Sequence, residues 1–240
     1  MAQWRFETAS ECAIMIYFDG ELSVSLNESL GQLNSLLKER LAPILIDLVP
    51  SYSSILLTYD VCKISESELK QALILLQQET LEAALSINSK LVHLPVWYSE
   101  EVGQDLERVA QHSRLEVDEM IKIHSGTDYR AFALGFAPGF AYLGEVDQRI
   151  ATSRLETPRV SVPAGSVAIA DQQTAVYPAA SPGGWNIIGQ CPVELFNPTQ
   201  APYSLIQPAD RVRFVSVNQE TFERIKQCPE HWSLSEGSYV

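Results

Sequence analysis

The sequence has few basic residues and few cysteines, and both shortages exclude classes of protein. Of its 240 residues, 17 are Lys or Arg and 30 are Asp or Glu, which gives a formal net charge of −13. Because no basic cluster offsets this charge, nucleic acid and anionic membranes are not expected as partners. The four cysteines form no Cys-x-x-Cys pair, which argues against a metal site and is typical of reduced thiols in the cytoplasm.

Long apolar runs and standard catalytic motifs are also lacking. No stretch approaches the roughly 20 apolar residues that cross a bilayer, and residues 1–7 lack the basic start and apolar core of a signal peptide. The chain contains no Walker A loop, no Gly-x-Ser-x-Gly elbow and no His-Glu-x-x-His. We therefore expect a cytoplasmic globular protein whose activity does not follow from a common motif.

Two different patterns divide the chain into predicted domains. In residues 1–86, leucines at helical spacing follow Ser-x-x-Glu capping boxes at Ser25 and Ser65, which predicts a small α+β domain in the order strand, helix, strand, strand, helix. The second domain is predicted over residues 87–228, and within it the glycines and prolines concentrate from Gly126 to Pro198, which favours short strands with shaped turns in a barrel or sandwich. Residues 229–240 are expected to form a loosely ordered tail.

The elements of the second domain can be placed approximately. A strand is predicted from Leu91 to Tyr98 with an interruption at Pro95, and two short helices follow, with Gly126 capping the second. The helices are predicted over 103–111 and 116–124, and further strands over 129–136, 160–162, 166–170, 174–177, 185–188, 193–196 and 211–217.

Three segments, 135–144, 157–166 and 181–189, contain glycine and proline, and the first and third also contain aromatics. Glycine permits close backbone approach to a ligand and aromatic rings supply flat apolar walls, so these segments predict a small-molecule pocket. Core packing is nevertheless the commoner role of an aromatic side chain. Polar residues nearby could contact a ligand or could simply be satisfied strand residues, namely Ser161, Ser166, Gln173 and Asn186.

Arg159 is a candidate anion clamp. It and Arg154 are the only basic residues from 151 to 200, and guanidinium groups bind carboxylate and phosphate well. The alternative is a structural ion pair with Glu156 or Asp171.

His124 is expected to end the second short helix. It is a candidate acid or base that points at the barrel mouth. The alternative is a cation that stabilises the helix C-terminus.

The glycine-rich segments resemble the KipI family, whose members are also described as the B subunits of 5-oxoprolinase or as allophanate hydrolase subunit 1-like proteins. The matching motifs are Leu134-Gly135-Phe136, Pro138-Gly139-Phe140, Thr157-Pro158-Arg159, Val162-Pro163-Ala164-Gly165-Ser166 and Ser181-Pro182-Gly183-Gly184-Trp185. Ala168, Asp171 and Ala175 stand where this family usually has glycine, so the turns there are expected to differ in shape.

The resemblance implies an α+β protein with a small N-terminal α+β domain followed by a cyclophilin-like β-barrel domain. It also implies one subunit of an ATP-dependent 5-oxoprolinase, which opens the lactam of 5-oxo-L-proline to give L-glutamate. The implied partners are the KipA-like C subunit and the LamB/YcsF-like A subunit of that enzyme. ATP, together with Mg, would be shared with a partner, and the chain alone would be inactive.

The site implied by this resemblance has catalytic and substrate-binding members. Arg159 and His124 are the expected catalytic residues, because lactam activation by ATP needs groups that stabilise developing charge. The expected substrate-binding residues are Phe136, Pro138, Gly139, Phe140, Tyr142, Gln173 and Trp185. The alternative function is that of a KipI-type inhibitor that binds a sensor histidine kinase.

Overall fold

The computed structural model describes residues 4–20, 23–82 and 89–239. The chain divides into two units, Met1–Ser89 and Lys90–Val240. The predicted boundary after residue 86 falls outside the described residues and stays a prediction.

The first unit contains a four-stranded antiparallel sheet and two helices. The strands are β1 (Trp4–Ser10), β2 (Ala13–Phe18), β3 (Leu45–Ser51) and β4 (Ser54–Tyr59), in the order β1-β2-β4-β3, and the helices are α1 (Val24–Arg40) and α2 (Glu66–Glu82). The predicted leucine stripes of both helices pack with apolar strand residues in one core. β1 was not predicted because its apolar alternation is limited to Trp4 and Phe6, and the rest of the strand is exposed.

Only one of the two predicted capping boxes forms. At the start of α2, Glu68 Oε2 accepts a hydrogen bond from the Ser65 backbone N–H (2.9 Å), and the Glu68 N–H donates to Ser65 Oγ (3.3 Å). The prediction for α1 was wrong, because that helix begins earlier and Ser23 Oγ accepts from the Leu26 N–H (3.2 Å). Ala83, which continues the helical spacing of Leu69, Leu73 and Leu76 in the sequence, lies outside the described residues.

The second unit is built around a nearly closed seven-stranded sheet, so the predicted α+β class with a barrel is confirmed. Its strands are β5 (Leu91–Val96), β6 (Asp128–Leu134), β7 (Ala141–Gly144), β8 (Arg159–Val162), β9 (Ser166–Ala170), β10 (Gln173–Val176), β11 (Ser181–Gly183), β12 (Asn186–Gln190) and β13 (Arg211–Ser216). The sheet order is β12-β9-β10-β7-β6-β13-β5, and β8 pairs with β11 as a separate ribbon. Two hydrogen bonds between the backbones of Trp97 and Gln190 (2.9 and 3.0 Å) connect the two ends of the sheet.

Two strand predictions in this unit need correction, and β7 and β11 were not predicted. Pro95 does not interrupt β5 but lies within it, opposite Val215, at the end of the sheet order where a missing N–H is tolerated. Residues 193–196 form no strand, and only Phe196 makes an isolated bridge, to Ser204. β7 was not predicted because it lies within a glycine-rich segment.

Helices and a small hairpin complete the unit. The helices are α3 (Leu106–Ser113), α4 (Val117–Ser125) and α5 (Gln219–Gln227), and a 3₁₀ turn at Pro229–His231 leads into β14 (Trp232–Ser233) and β15 (Ser238–Tyr239). Gly126 caps α4 as predicted, with its N–H donating to the Lys122 carbonyl (2.9 Å). The expected loose tail is wrong for its described part, because Trp232 is buried and its indole N–H donates to the His93 carbonyl (2.9 Å). No helix in the described ranges is long and apolar enough to span a membrane.

One wall of the barrel is buried on both faces. Because side chains alternate along a strand, one set faces the main core and the other faces a smaller cluster. Val167, Ile169, Val176 and Ile188 belong to the main core, whereas Ala168, Ala170, Ala175 and Ile187 pack against Phe140, Tyr177 and Trp185. The small alanines leave room for these large rings, so an aromatic layer covers the outer face of the wall.

Candidate functional site

A cavity of about 270 Å³ borders this aromatic layer. It is lined by Phe136, Phe140, Tyr142, Arg154, Leu155, Pro158, Tyr177, Pro182, Gly183, Gly184 and Trp185, and we call it the aromatic cavity. Each of the three glycine-rich segments contributes to it. The structure thus brings together the four aromatic residues proposed from the sequence, while their contact with a substrate stays a prediction.

The rings of the aromatic cavity hold one another in edge-to-face geometry. The centroid of Phe140 lies 4.9 Å from Tyr142, 5.5 Å from Tyr177 and 5.7 Å from Trp185, with interplanar angles of 65°, 82° and 82°. Such pairs add about 0.5–1.5 kcal/mol each beyond their burial. The cavity therefore has stiff walls that are formed before any ligand binds.

Phe136 stands at the rim in an unusual conformation. Its side chain is 62% exposed and its φ is 73°, a region that a bulky residue rarely adopts because the Cβ crowds the backbone. Such strain costs on the order of 1–3 kcal/mol and concentrates at ligand-binding sites. An exposed, strained phenylalanine beside a cavity therefore favours a role in ligand contact over one in core packing.

A glycine makes room for the Tyr177 hydroxyl. A Cβ at Gly183 would lie 2.3 Å from that oxygen, so no larger residue fits there without a shift. Burial raises the pKa of Tyr177, while a backbone hydrogen bond from Trp185 and the positive charges of Arg159 and Arg154 act in the opposite direction. Tyr177 is therefore a neutral hydroxyl at neutral pH.

Arg154 is the cation that lines the aromatic cavity. Its side chain is exposed, and the backbone on both sides of it is fixed. The Leu155 N–H donates to the Gly184 carbonyl (2.7 Å), and Asn186 Nδ2 donates to the Ser153 carbonyl (3.0 Å). Sequence reasoning noted Arg154 only as the second basic residue of its region and did not propose it for the site.

Arg159 does not line the cavity and is already paired. Its Nη2 donates to both carboxylate oxygens of Asp105 (2.8 and 2.9 Å), and its Nη1 donates to the Trp185 carbonyl (3.3 Å). Asp105 is buried and also accepts from the Ile187 N–H (2.8 Å). We call Asp105 and Arg159 the anchor pair, because they join the start of α3 to β12 and to the loop that carries Trp185. The alternative prediction, an ion pair of Arg159 with Glu156 or Asp171, was wrong, because the partner is Asp105.

His124 lies in the main core and not at the barrel mouth. Its Nδ1 is 2.7 Å from the Tyr98 hydroxyl and its Nε2 is 3.0 Å from Thr174 Oγ1. Because the Thr174 hydroxyl donates to the Ala168 carbonyl (3.0 Å), Nε2–H is the donor to Thr174 and Nδ1 accepts from Tyr98. The ring also stacks on Phe214, with centroids 4.7 Å apart.

The charge state of His124 follows from this burial. No part of the side chain is exposed, and desolvation lowers the pKa of His124 to about 3. The residue is therefore neutral at physiological pH, so its expected role as a cation at the helix C-terminus was also wrong.

Three other predicted substrate-binding residues lie away from the aromatic cavity. Gly139 has a φ of +82°, and a Cβ there would lie 2.8 Å from the Cβ of Phe196, so this glycine serves loop packing. Pro138 is exposed in the same loop. Gln173 begins β10 opposite Gly144. Their contact with substrate stays a prediction.

The polar residues that the sequence suggested as ligand contacts do not line the aromatic cavity. Asn186 is fully buried, and its Nδ2 also donates to the Ile169 carbonyl (3.0 Å). Ser166 is buried at the start of β9, and Ser161 is exposed on β8. Asn186 therefore supports the cavity by fixing the chain beside Arg154.

The backbone accommodates the residues that stand where the family usually has glycine. Asp171 has a φ of 53° in the turn between β9 and β10, a conformation that Asp tolerates better than most residues. Ala168 and Ala175 face each other across β9 and β10 beneath the aromatic layer. At both positions an alanine side chain is small enough to fit beneath the aromatic rings.

A second cavity of about 270 Å³ is less suited to an anionic ligand. Lys90 lines it together with Glu194 and Tyr203, but Lys90 Nζ donates to the Leu205 carbonyl (2.9 Å) and lies 3.7 Å from Asp210 Oδ2. Its cation is therefore already engaged. Over the described ranges, no group of three or more His, Cys, Asp or Glu side chains could hold a metal ion.

Comparison with known proteins assigns the family. Residues 4–206 match the sequence pattern of the family described as "Carboxyltransferase domain, subdomain C and D". The chain is 34% identical to the 5-oxoprolinase B subunit of Bacillus subtilis (strain 168) over 94% of its own length and 98% of that protein. It is 44% identical to the 5-oxoprolinase B subunit of Escherichia coli O157:H7 over 55% of its length and 61% of that protein.

A solved structure with the same fold belongs to a longer chain. The crystal structure of TTHA0988 superposes with a TM-score of 0.74 at 33% identity. The match covers 86% of this chain but only 40% of TTHA0988. Together with the nearly full-length match to the Bacillus subtilis protein, these similarities show that the chain belongs to the family of the carboxyltransferase domain, subdomain C and D, and within it to the group of 5-oxoprolinase B subunits.

Proposed function

We propose that this chain is the B subunit of an ATP-dependent 5-oxoprolinase and that the aromatic cavity forms one wall of the 5-oxo-L-proline site. The observation that carries the proposal is a preformed aromatic cavity with an arginine at its edge, in a chain similar over nearly its whole length to a 5-oxoprolinase B subunit. 5-Oxo-L-proline has a flat lactam ring and one carboxylate. Flat apolar walls suit the ring, and a guanidinium suits the carboxylate.

The reaction explains why a complex is needed. A lactam is a stable amide, and ATP activates it by transferring its γ-phosphoryl group to the amide oxygen. One water then adds to the activated carbon as the ring C–N bond breaks, the ring nitrogen becomes the amino group, and the former lactam carbonyl carbon is left as an acyl phosphate. A second water hydrolyses this acyl phosphate, so the overall products are glutamate, ADP and phosphate.

We assign ATP binding to a site shared with partner subunits. The sequence has no phosphate-binding glycine loop, and the described residues include no metal-ligand cluster. Mg²⁺ would arrive bound to the nucleotide, as is usual for phosphoryl transfer. The KipA-like C subunit and the LamB/YcsF-like A subunit are the proposed partners. The longer TTHA0988 chain supports this assignment, since the matching region is only part of a larger polypeptide there.

Arg159 and His124 then have different roles from those expected of catalytic residues. Arg159 binds Asp105 and the carbonyl of Trp185, so we propose that it positions the Trp185 wall. His124 is buried in the main core, so we propose that it stabilises the barrel. Neither role requires contact with the reacting atoms.

Reconstitution of the complex tests the proposed function. We expect 5-oxoproline-dependent hydrolysis of ATP and release of glutamate when the chain is combined with its candidate partners, and no activity from the chain alone. Full activity of the single chain would rule out a shared site. Absence of activity from the complete complex, together with binding to a sensor histidine kinase, would favour the inhibitor alternative.

A matched pair of exposed aromatics tests the cavity. Phe136 and Tyr203 are 62% and 57% exposed, and only Phe136 lines the aromatic cavity. Phe136→Ala should lower kcat/KM for 5-oxo-L-proline about tenfold, the effect of losing part of an apolar contact. Tyr203→Ala should leave kcat/KM unchanged. Equal effects of the two substitutions would contradict the assignment of this cavity to the substrate.

A further inference from the structure

Arg154 differs from Arg159, the other arginine of this region, because within the described residues its side chain has no partner. In the described part of the chain it makes no ion pair and no side-chain hydrogen bond, whereas Arg159 is paired with Asp105. No carboxylate is among the residues that line the cavity. The cavity therefore carries a net positive charge on a protein whose overall charge is −13.

The backbone holds Arg154 in place while its side chain stays accessible. The preceding carbonyl accepts from buried Asn186, and the following N–H donates to Gly184. Nearby Thr152 is buried and its carbonyl accepts from the Asp171 N–H (2.8 Å). A guanidinium on a fixed backbone loses less freedom on binding than one on a free loop.

The charge of Arg154 also reaches the cavity floor. The Tyr177 hydroxyl is buried beneath Gly183. Burial is the main influence on the pKa of that hydroxyl, but the positive charge of Arg154 acts to lower it. Arg154 is therefore, after Arg159, the second arginine whose charge acts on this hydroxyl.

We infer that Arg154 binds the carboxylate of the substrate and makes this site selective for anionic cyclic amides over neutral ones, an inference that rests on the proposed function. The lactam ring lies against the aromatic walls and its carboxylate faces the guanidinium, which can donate two parallel hydrogen bonds to it. A carboxylate suits this arrangement better than a triphosphate, because a single arginine among aromatic rings offers too few cations for several phosphate charges.

The test uses Arg154→Gln and Arg154→Lys in the reconstituted complex, with Arg149→Gln as the matched control. Arg149 is an exposed arginine that is paired with Asp147 and lies outside the aromatic cavity. Arg154→Gln should raise KM for 5-oxo-L-proline by about 10- to 100-fold, the range for losing a charge-assisted hydrogen bond. Arg154→Lys should recover only part of the loss, and Arg149→Gln should change nothing.

Two inhibitors separate the carboxylate from the ring. Cyclopentanecarboxylate keeps the charge and lacks the lactam, and 2-pyrrolidinone keeps the lactam and lacks the charge. Arg154→Gln should weaken inhibition by cyclopentanecarboxylate about as much as it raises KM, and it should change inhibition by 2-pyrrolidinone less than about twofold. KM for ATP should stay constant. Equal weakening of both inhibitors, or a rise confined to KM for ATP, would overturn the inference.

The inference and the proposed function can fail separately. If the wild-type complex does not hydrolyse ATP in response to 5-oxo-L-proline, the proposed function fails. The inference about Arg154 can then be tested without the reaction, by measuring the binding of the two ring compounds to the complex by calorimetry. If cyclopentanecarboxylate binds and Arg154→Gln abolishes that binding, the site recognises a carboxylate. Binding that is unchanged by Arg154→Gln, or no binding to the wild-type complex, would contradict the inference.

Discussion

Arg154 and Arg159 lie in one short stretch of chain, but their surroundings differ in burial and in charge. Arg159 is 23% exposed and shares its charge with Asp105, which is 7% exposed. Arg154 is exposed and unpaired within the described ranges, at the edge of the aromatic cavity. A buried charge must be paired for the chain to fold, whereas an exposed charge costs little when it is unpaired. The paired arginine therefore serves the fold, and the unpaired one is available to a ligand.

The two faces of the barrel wall show the same contrast. On the inner face, His124 is neutral and both of its nitrogens are hydrogen-bonded. On the outer face, Phe136 is exposed and its backbone is strained. Groups whose hydrogen bonds are all formed stabilise the fold, whereas strained backbone conformations cluster at binding and active sites. Stability measurements should therefore distinguish the two faces.

The largest expected effect comes from breaking the anchor pair. Asp105→Ala removes the partner of Arg159 and the acceptor of the Ile187 N–H. Leaving the partly buried guanidinium of Arg159 unpaired and the buried Ile187 N–H without its acceptor should lower the free energy of unfolding by about 3 kcal/mol. Asp105→Asn, which keeps an acceptor for Ile187, should cost less. Urea unfolding followed by tryptophan fluorescence measures both.

The controls for this prediction are an exposed pair and the cavity arginine. Arg149→Gln removes the exposed member of the pair with Asp147 and should leave the unfolding midpoint nearly unchanged. Arg154→Gln should do the same. If Asp105→Ala were as stable as these variants, the anchor pair would not hold the wall together, and Arg159 would regain its place as a candidate anion clamp.

His124 should make stability depend on pH. Its pKa is about 3 in the folded chain against an ordinary 6.5, so between these values the unfolded state binds a proton that the folded state does not. Stability is therefore full above pH 6.5 and falls as the pH drops toward 3. From pH 7 to pH 5 the loss should be on the order of 2 kcal/mol.

A substitution at the same position isolates this effect. His124→Gln keeps a donor and an acceptor and removes the titration, so its free energy of unfolding should fall less between pH 7 and pH 5. Most carboxylates remain ionised over this interval. Parallel pH profiles for the wild type and the variant would show that His124 takes up its proton equally in both states.

Local patterns in the sequence predicted the elements better than the contacts between them. Helical spacing of leucines found both helices of the first unit, yet the same Ser-x-x-Glu pattern was right at Ser65 and wrong at Ser25. Capping depends on the backbone angles of one residue, which the spacing does not fix. Composition also marked the aromatic cavity, because its glycines and rings are close in sequence.

Long-range pairs could not be predicted in this way. Asp105 and Arg159 are separated by 54 positions, and nothing near Asp105 in the sequence distinguishes it from other helix-flanking acids. His124 is neutral because Tyr98, Thr174 and Phe214 enclose it, and these residues come from separate strands and their flanks. Which arginine is paired and which is unpaired follows only from the folded chain.

The smallest predicted effect concerns the strained backbone at the cavity rim. Phe136→Ala and Phe136→Gly remove the same ring, but only alanine keeps a Cβ at a φ of 73°. The glycine variant should therefore be more stable than the alanine variant by about 1 kcal/mol, while both raise KM for 5-oxo-L-proline alike. Urea unfolding midpoints and steady-state kinetics measure the two quantities separately.

Gly135 supplies the matched control in the same loop. A Cβ there meets nothing within 4 Å, and Gly135 is not among the glycines with positive φ. Gly135→Ala should therefore be neutral or stabilising by up to about 1 kcal/mol, the reverse of the order at Phe136. If alanine were instead as stable as glycine at position 136, the loop would relax without cost. Phe136 would then be an ordinary exposed aromatic, and the contrast between a satisfied inner face and a strained outer face would not extend to the rim.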